Sequence, residues 1–146
     1  MWHGEGMNIL PPLADLAPDM TDLRRDLHRH PELAFAETRT ASIIEARLRD
    51  YGLAPISGIG GTGIVAVIEG AEPGPSIALR ADMDALPMSD ESGRDWSSTH
   101  AGVAHACGHD GHVAAPVGVA RHLLQHPPER GPVVLVFQPG QEKALR

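Results

Sequence analysis

Within the segment His105-Ala106-Cys107-Gly108-His109-Asp110-Gly111-His112 the chain places three of its 9 histidines, its only cysteine and a carboxylate. Thiolate, imidazole and carboxylate are the ligand types that hold zinc and related divalent metals. Cys107 and His109 stand two apart across a glycine. In an extended loop both side chains would therefore leave the same face, and the backbone would approach an ion closely. Two other readings compete with a metal loop. One is a reduced, buried cysteine in a histidine-rich segment. The other is a thiolate nucleophile paired with a histidine. The Asp- and Glu-bearing segments elsewhere favour a cation over a thiolate–imidazolium pair, so the ligand reading is preferred.

Those acidic segments are Asp82-Met83-Asp84 and Gln138-Pro139-Gly140-Gln141-Glu142. Each follows an apolar run with strand character, Ser76 to Ala81 and Pro132 to Phe137. Carboxylates two apart at a strand end point the same way, which is costly unless a cation, hydrogen bonds or solvent relieves them. Open α/β sheets place their sites beyond the carboxyl ends of strands, so the metal loop, Asp84 and Glu142 are expected on one rim. The run Val133 to Phe137 is almost continuously apolar and predicts a central strand covered on both faces.

The remaining elements follow from periodicity. Residues 1–18 are rich in Gly, Pro and acid and read as an irregular arm, with the domain over 19–146. From about Asp19, Met20, Leu23 and Leu27 recur at helical spacing, with Asp19 or Thr21 as cap and Pro31 as stop. A second helix is predicted from about Glu37 to Tyr51, ending at Gly52, its arginines and glutamates forming the wet face. Gly58 to Gly63 matches G-x-G-x-x-G, but a helix and loop precede it and the run Ile64 to Ile68 follows. A dinucleotide site needs the reverse order, so this is a turn entering a strand. A third helical pattern runs from Val113 to Leu124. Its Pro116 is tolerable if the helix starts near His112 or Val113, where first-turn N–H groups have no partner. His122 and His126 read as exposed on that helix.

A formal charge of -7 over 146 residues, with no Lys/Arg-dense run, argues against nucleic-acid and anionic-membrane partners. No apolar run approaches the roughly 18 residues of a membrane span, and the start lacks a signal-peptide pattern. The cytoplasm is the expected compartment, and a single cysteine agrees with it.

Four segments together resemble the M20 metallopeptidases. They are Leu27-His28-Arg29-His30-Pro31-Glu32-Leu33, Leu79 to Pro87 (LRADMDALP), His105 to His112, and Phe137-Gln138-Pro139. The similarity is greatest to the amidohydrolases of N-acyl amino acids, such as hippurate hydrolase and the indole-acetyl-amino-acid hydrolases. The resemblance runs from about Thr21 almost to the end of the chain, and CGHDGH with RADMDALP upstream is its most specific part. It implies an α/β catalytic domain, a mixed sheet flanked by helices on both faces. It also implies two divalent metals (zinc, manganese, cobalt or nickel) and a small-molecule N-acyl amino acid substrate.

Carried over position by position, Cys107 and His109 are metal ligands, and Asp84 is the carboxylate that helps to orient the metal site. Asp110 and His112 are neighbouring loop residues around the ligands. In the family, a pair of glutamates follows the F-Q-P strand, a general base that activates water and then a metal ligand. Those positions fall on Gln141 and Glu142. The base is therefore missing, since glutamine cannot take a proton from water. The resemblance further places the remaining histidine ligands and the inserted lid and dimerisation domain after Arg146. The expectation is thus an N-terminal piece of such a domain, inactive by itself. Rival outcomes are a non-catalytic metal-binding or interaction module and a remnant without function. The apolar terminal strand, deprived of neighbours, would promote homo-oligomerisation.

Overall fold

The computed structural model describes residues 11–143; the first part of the expected arm and the last three residues lie outside them. From Pro11 onward the arm is helical and not irregular. A single turn, α1 (Pro11–Ala14), leads into α2 (Ala17–Arg29), with Leu16 as N-cap and Pro18 in the first turn. Asp19 and Thr21 are therefore inside the helix and not at its cap. Asp19 instead accepts ion pairs from Arg47 at 2.9 Å and Arg121 at 3.2 Å, tying together three helices.

The second helix, α3 (Thr38–Asp50), buries Thr40, Ile44 and Leu48 and leaves through Gly52, whose φ of 91° suits a residue without Cβ. A hairpin follows. Strand β1 (Ile56–Ile59) pairs antiparallel with β2 (Gly63–Ile68), and the glycine run forms the turn between them. β1 is not legible as a strand, because it is four residues long, follows Pro55 and contains Gly58.

Strand β3 (Ile77–Asp82) is joined through a long loop and α4 (His109–Gln125) to β4 (Val133–Gln138), which runs parallel to it. The sheet order is β1-β2-β4-β3, with β2 and β4 antiparallel, so the fold is α/β with a mixed sheet. β4 has a strand partner on each side, so it is paired within the sheet. The helices, however, cover one face only among the described residues. Ile64, Ala66, Ile68, Leu135 and Phe137 are buried with Leu27, Ile44, Leu48, Val113 and Val117 in one core. The alternate residues Val65, Val67, Val134 and Val136 are half-buried or exposed. The expected second helical layer is not among the described residues. The same residues contain no helix long and apolar enough to cross a membrane.

α4 starts four residues before Val113, with Gly108 as N-cap, so Pro116 lies inside the helix. It has no N–H for the His112 carbonyl, which costs helical stability on the order of 3 kcal/mol. Burial of Pro116, Val113, Val117 and Ala120 against the core offsets that cost.

Candidate metal centre

Parallel strands β3 and β4 end side by side, so the segments that follow them arrive at one rim of the sheet. The Met83 N–H donates to the Gln138 carbonyl at 3.1 Å and continues the ladder past the strand end. Asp84, 1% exposed, then lies beneath the first turn of α4. His109, the first residue of that helix, donates its Nδ1 proton to the Asp84 carbonyl at 2.7 Å. A carbonyl only accepts, so the proton sits on Nδ1 and the lone pair on Nε2. Nε2 lies 3.8 Å from Glu142 Oε1. Glu142 is positioned by its own N–H, which donates to Asp84 Oδ2 at 2.8 Å. Asp84 thus holds the histidine with its backbone and the glutamate with its side chain.

Ligand atoms of Cys107, His109 and Glu142 all fall within 4.8 Å of one another. The local route differs from an extended loop. Gly108 takes φ 87°, and this left-handed turn brings an exposed Cys107 beside a buried His109 at the helix start. The Glu142 carboxylate beside the Cys107 thiol pushes its pKa above the ordinary range; burial, Asp82 and Asp84 act in the same direction. A cysteine nucleophile needs the opposite, a depressed pKa. A ring of carboxylates around a thiol and a lone-pair nitrogen suits a cation, which would stabilise the thiolate and relieve the crowded anions. The donor set of sulfur, nitrogen and oxygen fits a divalent transition metal.

Gln141 belongs to a short 3-10 turn, Gln141–Lys143, and is half-buried beside Phe35, Arg80 and Lys143. Its segment is held from below by a residue read from sequence as part of a wet helix face. Glu37 is fully buried. It accepts the Gly140 N–H at 2.9 Å and the Thr62 hydroxyl at 2.7 Å, clamping the β4 exit to the β1–β2 turn. Gly140 has φ 68°, and a Cβ there would strike the Phe35 ring. Nothing local distinguishes Glu37 from the exposed acids of α3, since its partners lie 25 and 103 residues away. Glu37→Ala is expected to cost about 1–3 kcal/mol, because the buried Gly140 N–H loses its acceptor. Glu37→Gln, which still accepts from Gly140 and can donate to the Thr62 hydroxyl, is expected to cost less. Urea denaturation of the two variants checks the order; equal costs would remove the clamp.

Asp110, expected in a loop, lies buried in the first turn of α4 and faces α2. It accepts from Arg24 Nε at 2.7 Å and pairs with His28 Nδ1 at 2.8 Å, and His28 Nε2 reaches Asp90 at 3.2 Å. His105 is buried beside this network without a hydrogen-bond partner, and burial pushes its imidazole pKa down to about 4. His122 and His126 stack on one another at 4.6 Å, remote from the donor triad in sequence.

The chain is similar in sequence and fold to known proteins. The model of peptidase family M20/M25/M40 matches residues 78–145. The chain is 37% identical over 136 residues to hippurate hydrolase of Campylobacter jejuni, covering 93% of this chain and 35% of that protein. It is 40% identical over 129 residues to an N-acyl-L-amino acid amidohydrolase of Geobacillus stearothermophilus, covering 88% and 35%. The crystal structure of Bacillus subtilis YXEP protein, described as a dinuclear metal binding peptidase from M20 family, superposes with a TM-score of 0.82 at 39% identity. That match covers 88% of this chain and 36% of the YXEP chain. The chain spans about a third of the length of these curated relatives.

Proposed function

This chain belongs to peptidase family M20/M25/M40, and from that premise we propose that it supplies part of the centre of a metal-dependent amidohydrolase. The proposed substrate is an N-acyl amino acid or a similar small acylated compound, the class that the relatives' names describe. The observation that carries the reading is the convergence of Cys107, His109 and Glu142, with Asp84 bound to both His109 and Glu142. A divalent cation supplies Lewis-acid polarisation of an amide carbonyl and acidifies water.

The chain's own residues prepare that chemistry. The Asp84 carbonyl fixes the His109 tautomer and leaves Nε2 free to ligate. The Asp84 carboxylate and Glu37 hold the turn that carries Glu142. Cys107 serves as a ligand and not as a nucleophile. Gln141, next to Glu142, occupies the position of the proposed proton acceptor and cannot act as one. That residue favours a second reading, a metal-binding module that retains the cation without turnover. The cytoplasm is the proposed compartment.

The test is metal content of the purified chain after dialysis, paired with hydrolysis of a simple N-acyl amino acid in added zinc, manganese or cobalt. The expected result is retained metal with little or no turnover. Turnover that EDTA removes would show that Gln141 is tolerated. A chain that retains no metal would overturn the metal-centre reading.

A further inference from the structure

A second donor set meets at His109. Ligand atoms of Asp82, His109 and His112 also lie within 4.8 Å of one another. Asp82 is 6% exposed, and its two oxygens are unequal. Oδ2 accepts from Arg80 at 2.8 Å, whereas Oδ1 is buried without any partner. A buried carboxylate oxygen with no donor is costly, and a cation is one of the few groups that would satisfy it. His112 is exposed one helical turn after His109, and the two rings stand 5.2 Å apart. The three residues come from the end of β3 and the first turn of α4. They adjoin a surface depression lined by Leu79, Ala115 and Pro116.

Both donor sets include His109, whose Nδ1 is committed to the Asp84 carbonyl. One nitrogen is left for a metal, so the sets compete for it. We propose that the cation at His109 Nε2 has two alternative seats, one with Cys107 and Glu142 and one with Asp82 and His112. The second seat is new to this chain's assigned chemistry. Two imidazoles and a carboxylate suit zinc, cobalt, nickel or manganese without any thiolate. Its consequence is that metal retention survives loss or oxidation of the exposed Cys107. The inference shares His109 with the proposed function but does not depend on the thiolate seat.

The probe is cobalt(II), whose thiolate charge-transfer band reports sulfur ligation while its d–d bands and titration report binding. Wild type is expected to show the thiolate band. Cys107→Ala is expected to lose that band but keep d–d absorption, binding cobalt about 10- to 100-fold more weakly. Adding His112→Ala or Asp82→Asn to Cys107→Ala is expected to weaken binding by at least another factor of about ten. Circular dichroism confirms that each variant is folded, and His112, being exposed, is the safer of the two. Abolished binding in Cys107→Ala alone would overturn the second seat and leave the thiolate seat standing. Unchanged binding on adding His112→Ala would also overturn it. Wild-type binding without a thiolate band, lost on His112→Ala, would instead support the second seat and overturn the Cys107 assignment. No cobalt binding by the wild type would overturn both.

Discussion

His109→Ala is expected to abolish metal retention, weakening zinc or cobalt affinity by more than about 100-fold, since even outer-shell partners of a ligand are worth roughly 10- to 100-fold. The reason is specific to this fold. His109 is common to both groups of candidate ligands, so its loss removes a donor from each seat at once. No other described residue has that position. Loss of Cys107 or Glu142 leaves the Asp82–His112 side, and loss of His112 leaves the Cys107–Glu142 side. His109→Ala also opens a cavity under α4, where the ring is 2% exposed, so the variant needs a folding control by circular dichroism. Equilibrium dialysis against zinc is the measurement. A folded variant that keeps metal within tenfold of wild type would show that the cation, if bound, is held elsewhere.

Gln141→Glu is expected to raise metal-dependent hydrolysis of an N-acyl amino acid by about 10²–10⁴-fold over the unmodified chain, the usual worth of a positioned general base. The substitution alters charge but hardly volume, and residue 141 is half-buried on a turn whose neighbours already hold their shape. Glu37 secures Gly140, and Asp84 secures Glu142, so the backbone on either side of residue 141 is fixed. What changes is the presence of a proton acceptor. Nearby Arg80 and Lys143 would favour its ionised form. Initial rates with and without EDTA, at matched metal occupancy, provide the check. Equal, measurable rates in the two chains would remove position 141 from the chemistry.

The donor-rich segment from His105 to His112 was legible because metal chemistry uses few residue types, and their crowding within one loop survives any fold. The rule that α/β sites lie beyond the carboxyl ends of strands puts the metal loop, Asp84 and Glu142 on one rim, and the resemblance gives Cys107, His109 and Glu142 as ligands. The helices Thr38–Asp50 and Ala17–Arg29 were close to their periodic patterns, since a stripe of Leu and Ile at helical spacing has one good way to be buried. The glycine run failed as a nucleotide site for a reason visible in its flanks, and the structure makes it a hairpin turn.

Other features depended on residues distant in sequence. Glu37 carries the composition of a solvent-facing helix start, yet it is buried because Gly140 and Thr62 bring their donors to it. α4 begins at His109, so Pro116 lies inside it, and core packing around Pro116 offsets the helix-breaking tendency of that residue. Asp82 and His112 lay in motifs read from sequence, but their meeting at a shared histidine required β3 to end beside the first turn of α4. By itself, then, the sequence determined the donor types, the strand ends that bear acid and the kind of chemistry. Only the tertiary structure decided which donor sets share a histidine, which carboxylate oxygens lack a donor and which acid is buried, because those depend on long-range contacts that no local pattern encodes.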